Sequence, residues 1–233
     1  MDLYQCEWPG ISPTALASAY KLPCTEVTHT DKTLASTFAD WVLHQTFRNA
    51  SKRPEKREKD LDRGRFGHER ILTSICKSHD FKDKFKRKTS AVDWRPTYVD
   101  SKASSHFYLA STLRVDGRPM RCRPDLIFQH RSANATVIVE YKLKSFGTAA
   151  RIKKDFTRKS FDPEGHPNDR AQLWCYSHID DFRDVNELFL VLQFWDATTF
   201  ENKATLAWLR ADEALEKEAR GYFLKYGGEI LAP

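Results

Sequence analysis

Cysteine is scarce and unpaired in this 233-residue chain: Cys6, Cys24, Cys76, Cys122 and Cys175 are the five present, and no two form a CxxC pair. An odd, scattered set excludes a disulfide scaffold and fits free thiols in a reducing compartment. The opening residues MDLYQCEWPG carry acids and a Pro-Gly, and lack the apolar stretch of a secretory signal. No apolar run approaches the roughly 20 residues that cross a bilayer. Repeats and long low-complexity tracts are absent. So is a GxxxxGK[ST] loop, which leaves no built-in ATPase or helicase. Together these absences predict an intracellular chain that is neither secreted nor membrane-bound.

What is present is enough apolar matter for a core, 40% hydrophobic with 12% aromatic, and an uneven distribution of charge. The net +6 from 38 basic and 32 acidic residues decides little by itself. Between Arg48 and Arg95, however, sixteen Lys or Arg stand against eight Asp or Glu, and between Lys142 and Arg170 eight stand against four. Basic clusters on both sides of a central segment suit a polyanionic partner, because phosphates attract clustered cations. A merely solvated surface is the plainer reading of the same runs.

Periodicity divides the chain. Ser12 before PTALASAY reads as an N-cap, a proline at the first helical position and a short helix. Residues 30–48 predict a second helix, with Leu34, Phe38, Trp41, Val42 and Gln45 at helical spacing. Residues 50–60 are charged, contain Pro54 and read as an exposed loop. Residues 64–79 look helical again, with Phe66, Ile71, Leu72 and Ile75 as the apolar face. From Ser105 the period becomes two. HFYLASTLRV, Asp116-Gly117 and RPMRCRPDLIF predict a hairpin closed by an Asp-Gly turn. ATVIVEYKLK follows as a strand, with Val137 and Val139 on one face and Ile138, Glu140 and Lys142 on the other. Residues 145–168 read as a loop, Asn168 as the cap of a helix reaching Ile179, 187–195 and 204–209 as strands, and Asp212 as the start of a final helix. The expected fold class is α/β, a central mixed β-sheet flanked by helices.

The chemistry concentrates in Arg123-Pro124-Asp125 and Glu140-Tyr141-Lys142. Phosphodiester hydrolysis needs a hard cation to polarise the phosphate and activate water, and magnesium accepts a few carboxylate oxygens while keeping several waters. Asp125 and Glu140, on neighbouring strands, are candidates to supply two carboxylates to one ion. The Tyr141 carbonyl is a candidate further ligand. Lys142, two residues from Glu140, faces the same side and would orient water or neutralise charge developing at phosphorus. An acid–x–lysine pair is also common on solvated strand faces. The three β-branched residues before Glu140 favour a buried strand, where unpaired charge is costly.

These residues resemble the signature of the PD-(D/E)xK nuclease superfamily. Three further elements resemble its RecB-type branch: Gly64-Arg65-Phe66-Gly67-His68-Glu69 its GxxxH element, Gln172-Leu173-Trp174-Cys175-Tyr176 its QxxxY element, and Ser12-Pro13-Thr14, Leu16, Tyr20, Pro23-Cys24 its SPSxLxxYxxCP opening. The resemblance spans residues 12 to about 195. It implies a restriction-endonuclease-like core and makes His68 a metal ligand or the organiser of one. It gives Gln172 and Tyr176, at i and i+4 on one helix face, contact with a phosphate or with Lys142 and the attacking water. Relatives often have Asp where this chain has Glu140. Iron–sulfur members carry a cysteine trio after the QxxxY helix; no cysteine follows Cys175, so no such cluster is expected.

The resulting expectation is a Mg²⁺- or Mn²⁺-dependent deoxyribonuclease, an exonuclease or single-strand and end-processing enzyme. DNA is the expected substrate, and a helicase, recombination or replication protein a possible partner. RNA or duplex cleavage, or a non-catalytic nucleic-acid-binding subunit on the same fold, are the alternatives. Lys144, Lys153 and Lys154 are further candidates to track a nucleic-acid backbone, and Trp94, Phe146 and Phe156 to stack bases or pack in the core. Residues 1–60 read as an N-terminal helical region and 61–233 as the nuclease core with C-terminal strands and helix, in one compact unit.

Overall fold

A computed structural model describes residues 31–46, 94–100, 107–130, 132–144, 167–196 and 199–232. The expected helices at 12–20 and 64–79, with His68, and the basic residues Lys153 and Lys154 lie outside the described residues.

In chain order the elements are α1 (Ala35–Thr46), β1 (Trp94–Val99), β2 (Tyr108–Val115), β3 (Arg118–Cys122), β4 (Leu126–His130), β5 (Ala135–Lys144), α2 (Pro167–Ser177), a 3-10 turn (Asp180–Phe182), β6 (Glu187–Asp196), β7 (Asn202–Leu209), α3 (Glu213–Lys225) and β8 (Gly228–Ile230). Five strands form a mixed sheet in the order β1-β4-β5-β6-β7. Among the described strands of this sheet, β5 and β6 pair in parallel, joined across α2, and the other pairs are antiparallel. This is the expected α/β class, with a mixed sheet at its centre. No described helix is long and apolar enough to cross a membrane.

β5 and β6 are central because both of their faces are apolar. On one face Ile138, Leu190, Leu192 and Phe194 join a core that takes in α1, α2 and α3. On the other, Val137, Val139, Tyr141 and Val191 join a second core with Trp94, Leu126 and Phe128. Trp94 is 3% exposed and meets His130 edge-on at 5.3 Å, so it packs in the core and is not placed to stack bases. On the helical side Phe38, Trp174 and Phe223 bring α1, α2 and α3 together, with ring centroids 5.3–5.4 Å apart. Truncating a buried aromatic of this kind costs about 3–5 kcal/mol.

The Asp-Gly turn forms as expected. Asp116 (φ 51°) and Gly117 (φ 72°) both have positive φ, the backbone of the tight hairpin turn whose twist matches its strands. The strand after it is shorter than the pattern suggested. RPMRCRPDLIF breaks at Arg123-Pro124-Asp125. Arg118–Cys122 stays with β2 in a three-stranded sheet ordered β3-β2-β8, while Leu126–His130 crosses to the five-stranded sheet. Proline has no N–H to continue a ladder, and the chain changes sheets at that point. The expected helix over 30–48 begins only at Ala35. Asp31 instead accepts the Thr33 N–H at 2.9 Å and pairs with Arg121, fastening this entry to β3. Gln45, expected on the apolar face, is exposed. Asn168 lies inside α2, which opens on Pro167. Proline is favoured in the first turn, where its missing N–H costs nothing. Asp212 caps α3 by accepting the Leu215 N–H at 2.8 Å, and Gly227 (φ 90°) turns the chain from α3 into β8.

Candidate active site

The register of β4 and β5 sets the centre. Leu126 faces Val139 in an antiparallel pairing. One step further, Asp125 is level with Glu140. The carboxylates therefore meet where the strand pair opens. The contact that fixes Asp125 is the Tyr141 N–H, which donates to its Oδ2 at 2.8 Å. Both acids are buried, Asp125 at 9% and Glu140 at 5% exposure. Side-chain alternation along β5 puts Glu140 and Lys142 on the Ile138 face, the face covered by α2.

α2 completes the cluster. Lys142 Nζ donates to Glu140 Oε1 and to Gln172 Oε1, each at 2.8 Å. Lysine can only donate, so the Gln172 oxygen must face it. That turns the Gln172 amide towards Glu140 Oε1 at 3.0 Å and the Tyr176 hydroxyl at 2.6 Å. Tyr176 OH lies 3.1 Å from Glu140 Oε2 and 3.0 Å from the Arg123 carbonyl. It has one proton for two acceptors. Glu140, Lys142, Gln172 and Tyr176, expected from the sequence to act together with Asp125, are thus joined by hydrogen bonds, and Asp125 lies beside them, held by the Tyr141 N–H.

Its electrostatics are lopsided. Burial lifts the Asp125 carboxyl well above the usual carboxylate range; the charge of Glu140 adds to the lift, and the Tyr141 N–H opposes it. Burial also raises Glu140, against Lys142 and the Tyr176 hydroxyl. For Lys142, burial works against the ammonium, but Glu140 and then Asp169 outweigh it and carry its pKa up. Burial, followed by the Glu140 charge, raises the Tyr176 phenol, so it stays a donor. Two buried carboxylates in mutual repulsion, of which Glu140 alone is paired with the Lys142 ammonium, favour the uptake of a proton or a cation.

The donors are hard oxygens with no thiolate among them, which fits Mg²⁺ or Mn²⁺ and not a soft metal. No group of three His, Cys, Asp or Glu side chains suited to a metal occurs among the described residues. Two carboxylates suffice for an ion that keeps several waters. Of Tyr141, it is the N–H that the network engages.

No family model matches the chain, and the comparison with curated proteins gives no match. Among solved structures, the alkaline exonuclease LHK-Exo from Laribacter hongkongensis is similar at 12% identity and a TM-score of 0.34, over 83% of this chain and 86% of that one. Similarity at that TM-score is too slight to carry fold or function.

Two acids beside the network were not among the sequence candidates. Asp169, on α2, puts Oδ1 3.7 Å from Lys142 Nζ and is 2% exposed. Its signal was available: Asp169, Gln172 and Tyr176 stand at i, i+3 and i+7, one helix face. Asp100 follows β1, accepts from Arg123 Nε at 2.7 Å and from Tyr98 OH at 2.9 Å, and its charge contributes to the lift of Asp125. Nothing in the sequence near Asp100 marks it. Lys144 ends β5, opposite Asp196.

Proposed function

We propose that this protein is a divalent-metal-dependent nuclease of the RecB-like PD-(D/E)xK type that hydrolyses DNA phosphodiester bonds, as an exonuclease or a single-strand and end-processing enzyme. The observation that carries the reading is the pair of buried carboxylates, level across β4 and β5, with Glu140 paired to a lysine that Gln172 holds. Asp125 and Glu140 would hold the cation, with the Tyr141 carbonyl and His68 as further candidate ligands. When bound, Mg²⁺ or Mn²⁺ would polarise the phosphate and acidify a water. Lys142 directs its ammonium at the attacking oxygen or the phosphate, where it offsets developing negative charge. Gln172 fixes the lysine and, with Tyr176, keeps Glu140 oriented. Lys144, Lys153 and Lys154 are candidates to follow the DNA backbone. The basic runs of the sequence support a polyanionic substrate.

The test is digestion of labelled single-stranded DNA, duplex DNA and RNA in Mn²⁺ and in Mg²⁺. Single-stranded or end-bearing DNA should be cleaved. Asp125→Asn or Lys142→Ala should lower the rate by about 10³-fold, the range for losing a residue that acts on the reacting groups. Cleavage that survives either substitution sinks the mechanism, and preferential RNA cleavage replaces the substrate.

A further inference from the structure

The network has a conflict built into it. Glu140 is the closest acidic partner of Lys142, at 2.8 Å. On the reading under Proposed function, on which this inference rests, Glu140 must also hold a divalent cation. Lysine and cation would then compete for one carboxylate. An ammonium that lost Glu140 without replacement would be a half-buried cation beside a second cation, an unfavourable arrangement.

We propose that Asp169 is the second berth of the Lys142 ammonium and a positioning residue for it. The geometry suits a short transfer. Asp169 Oδ1 lies 3.7 Å from Nζ, so a shift of about 1 Å reaches an ordinary charge-assisted hydrogen bond. Gln172 Oε1, at 2.8 Å, remains as the pivot. Lys142 has three donors, enough for the pivot and for either acid. Asp169 is itself held: it sits in the first turn of α2 with its side chain 3% exposed, and Oδ1 accepts from Asn168 Nδ2 at 2.9 Å. Its place near a helix N-terminus offsets part of the cost of burying its charge. That favourable end is also the plainer account of Asp169, a residue that stabilises α2 and nothing else. A third possibility is that its charge attracts the cation directly.

A double-mutant cycle read by calorimetric Mn²⁺ titration of the full chain separates these accounts. The variants are Asp169→Asn, Lys142→Met, and the two combined. Asp169→Asn should weaken Mn²⁺ binding about fivefold in the native background and less than about twofold when Lys142 is Met, because the effect passes through the lysine. Asp169→Glu, which keeps the carboxylate, should stay within about twofold of the native affinity. Equal weakening in both backgrounds overturns the proposal in favour of direct attraction. No weakening in either, with a lowered unfolding temperature, overturns it in favour of helix stabilisation. Asp125→Asn is the control for the underlying reading. If native Mn²⁺ binding is indifferent to Asp125→Asn, the metal reading fails at Asp125, a different result from failure of the cycle at Asp169.

Discussion

The two ends of α2 use similar residues to opposite effect. At the first end, Asp169 and Gln172 meet Lys142, and the carboxylates Glu140 and Asp169 outnumber the ammonium they share. At the other end, the helix runs into the 3-10 turn beside a cavity of about 190 Å³ lined by Thr112, His178, Arg183, Arg210 and Glu216. Here each of the two carboxylates meets an arginine, Asp180 with Arg183 and Glu216 with Arg220. Asp180 accepts from the Ser111 N–H and hydroxyl and from Arg183. Arg210 donates to the carbonyls of Arg183, at 2.9 Å, and Phe182. The lesson is that burying polar groups does not by itself mark a reactive site. A network in which each carboxylate meets a cation holds the fold in place, whereas one with surplus buried negative charge is prepared for a cation.

The sharpest way to break this contrast is at its pivot. Gln172→Ala leaves Asp169 as the α2 partner of Lys142 and removes two donors from the Glu140–Tyr176 cluster. If the first end is built for reaction, the rate of DNA cleavage should fall by about 100-fold, as for residues that orient a metal's ligands, while the unfolding temperature changes little. A comparable loss of stability with unchanged turnover would make the two ends alike. The next effect is purely structural. Arg170, its side chain 7% exposed, makes a two-pronged pair with Glu218 of α3 at 2.8 and 2.6 Å. Glu218→Ala strands that guanidinium and should cost about 2 kcal/mol in chemical denaturation, below the range for fully buried pairs because Glu218 is partly exposed. Catalysis should be preserved. A drop in turnover larger than the loss of folded protein would show that α3 also tunes the site.

Much of this contrast was legible in the sequence, for reasons that lie in local geometry. Glu140 and Lys142 share a face because strand side chains alternate, and Gln172 and Tyr176 share one because a helix nearly repeats every four residues. The Asp116-Gly117 turn carried its own backbone requirement. What escaped was set by tertiary pairing. Period-two patterning continues straight through Arg123-Pro124-Asp125, so it gives no sign that the strand changes sheets there. β1 contains Pro96, an edge-strand feature that reads as a break when no partner is known. β8 has three residues and exists only because it pairs with β2. Asp100 reaches the site through the pairing of β1 with β4, its N–H donating to the Asp125 carbonyl at 2.8 Å. Asp169 was overlooked although its spacing was visible, because an acid in a first helical turn ordinarily needs no further explanation.

The smallest expected effect tests the matched end. His178 is held between Thr112 Oγ1, 3.3 Å from its Nδ1, and Glu216, 3.9 Å from its Nε2, with the Trp174 ring edge-on at 4.8 Å. Burial lowers its pKa; Glu216 opposes the shift, and Arg210 and Arg220 reinforce it. The folded protein therefore prefers the neutral ring. Below the ordinary histidine value of about 6.5, the unfolded chain takes up a proton that the fold resists. Stability from this group is complete at pH 7 and above, and drains away as pH falls from there through the lowered folded value. His178→Asn has no proton to gain. It should be less stable than the native chain at pH 7.5, and that difference should shrink by on the order of 1 kcal/mol or less as the pH approaches 5. Denaturant unfolding at several pH values measures it. A difference that stays constant with pH would mean that Glu216 cancels the burial, and that the matching of charge at this end extends to the histidine itself.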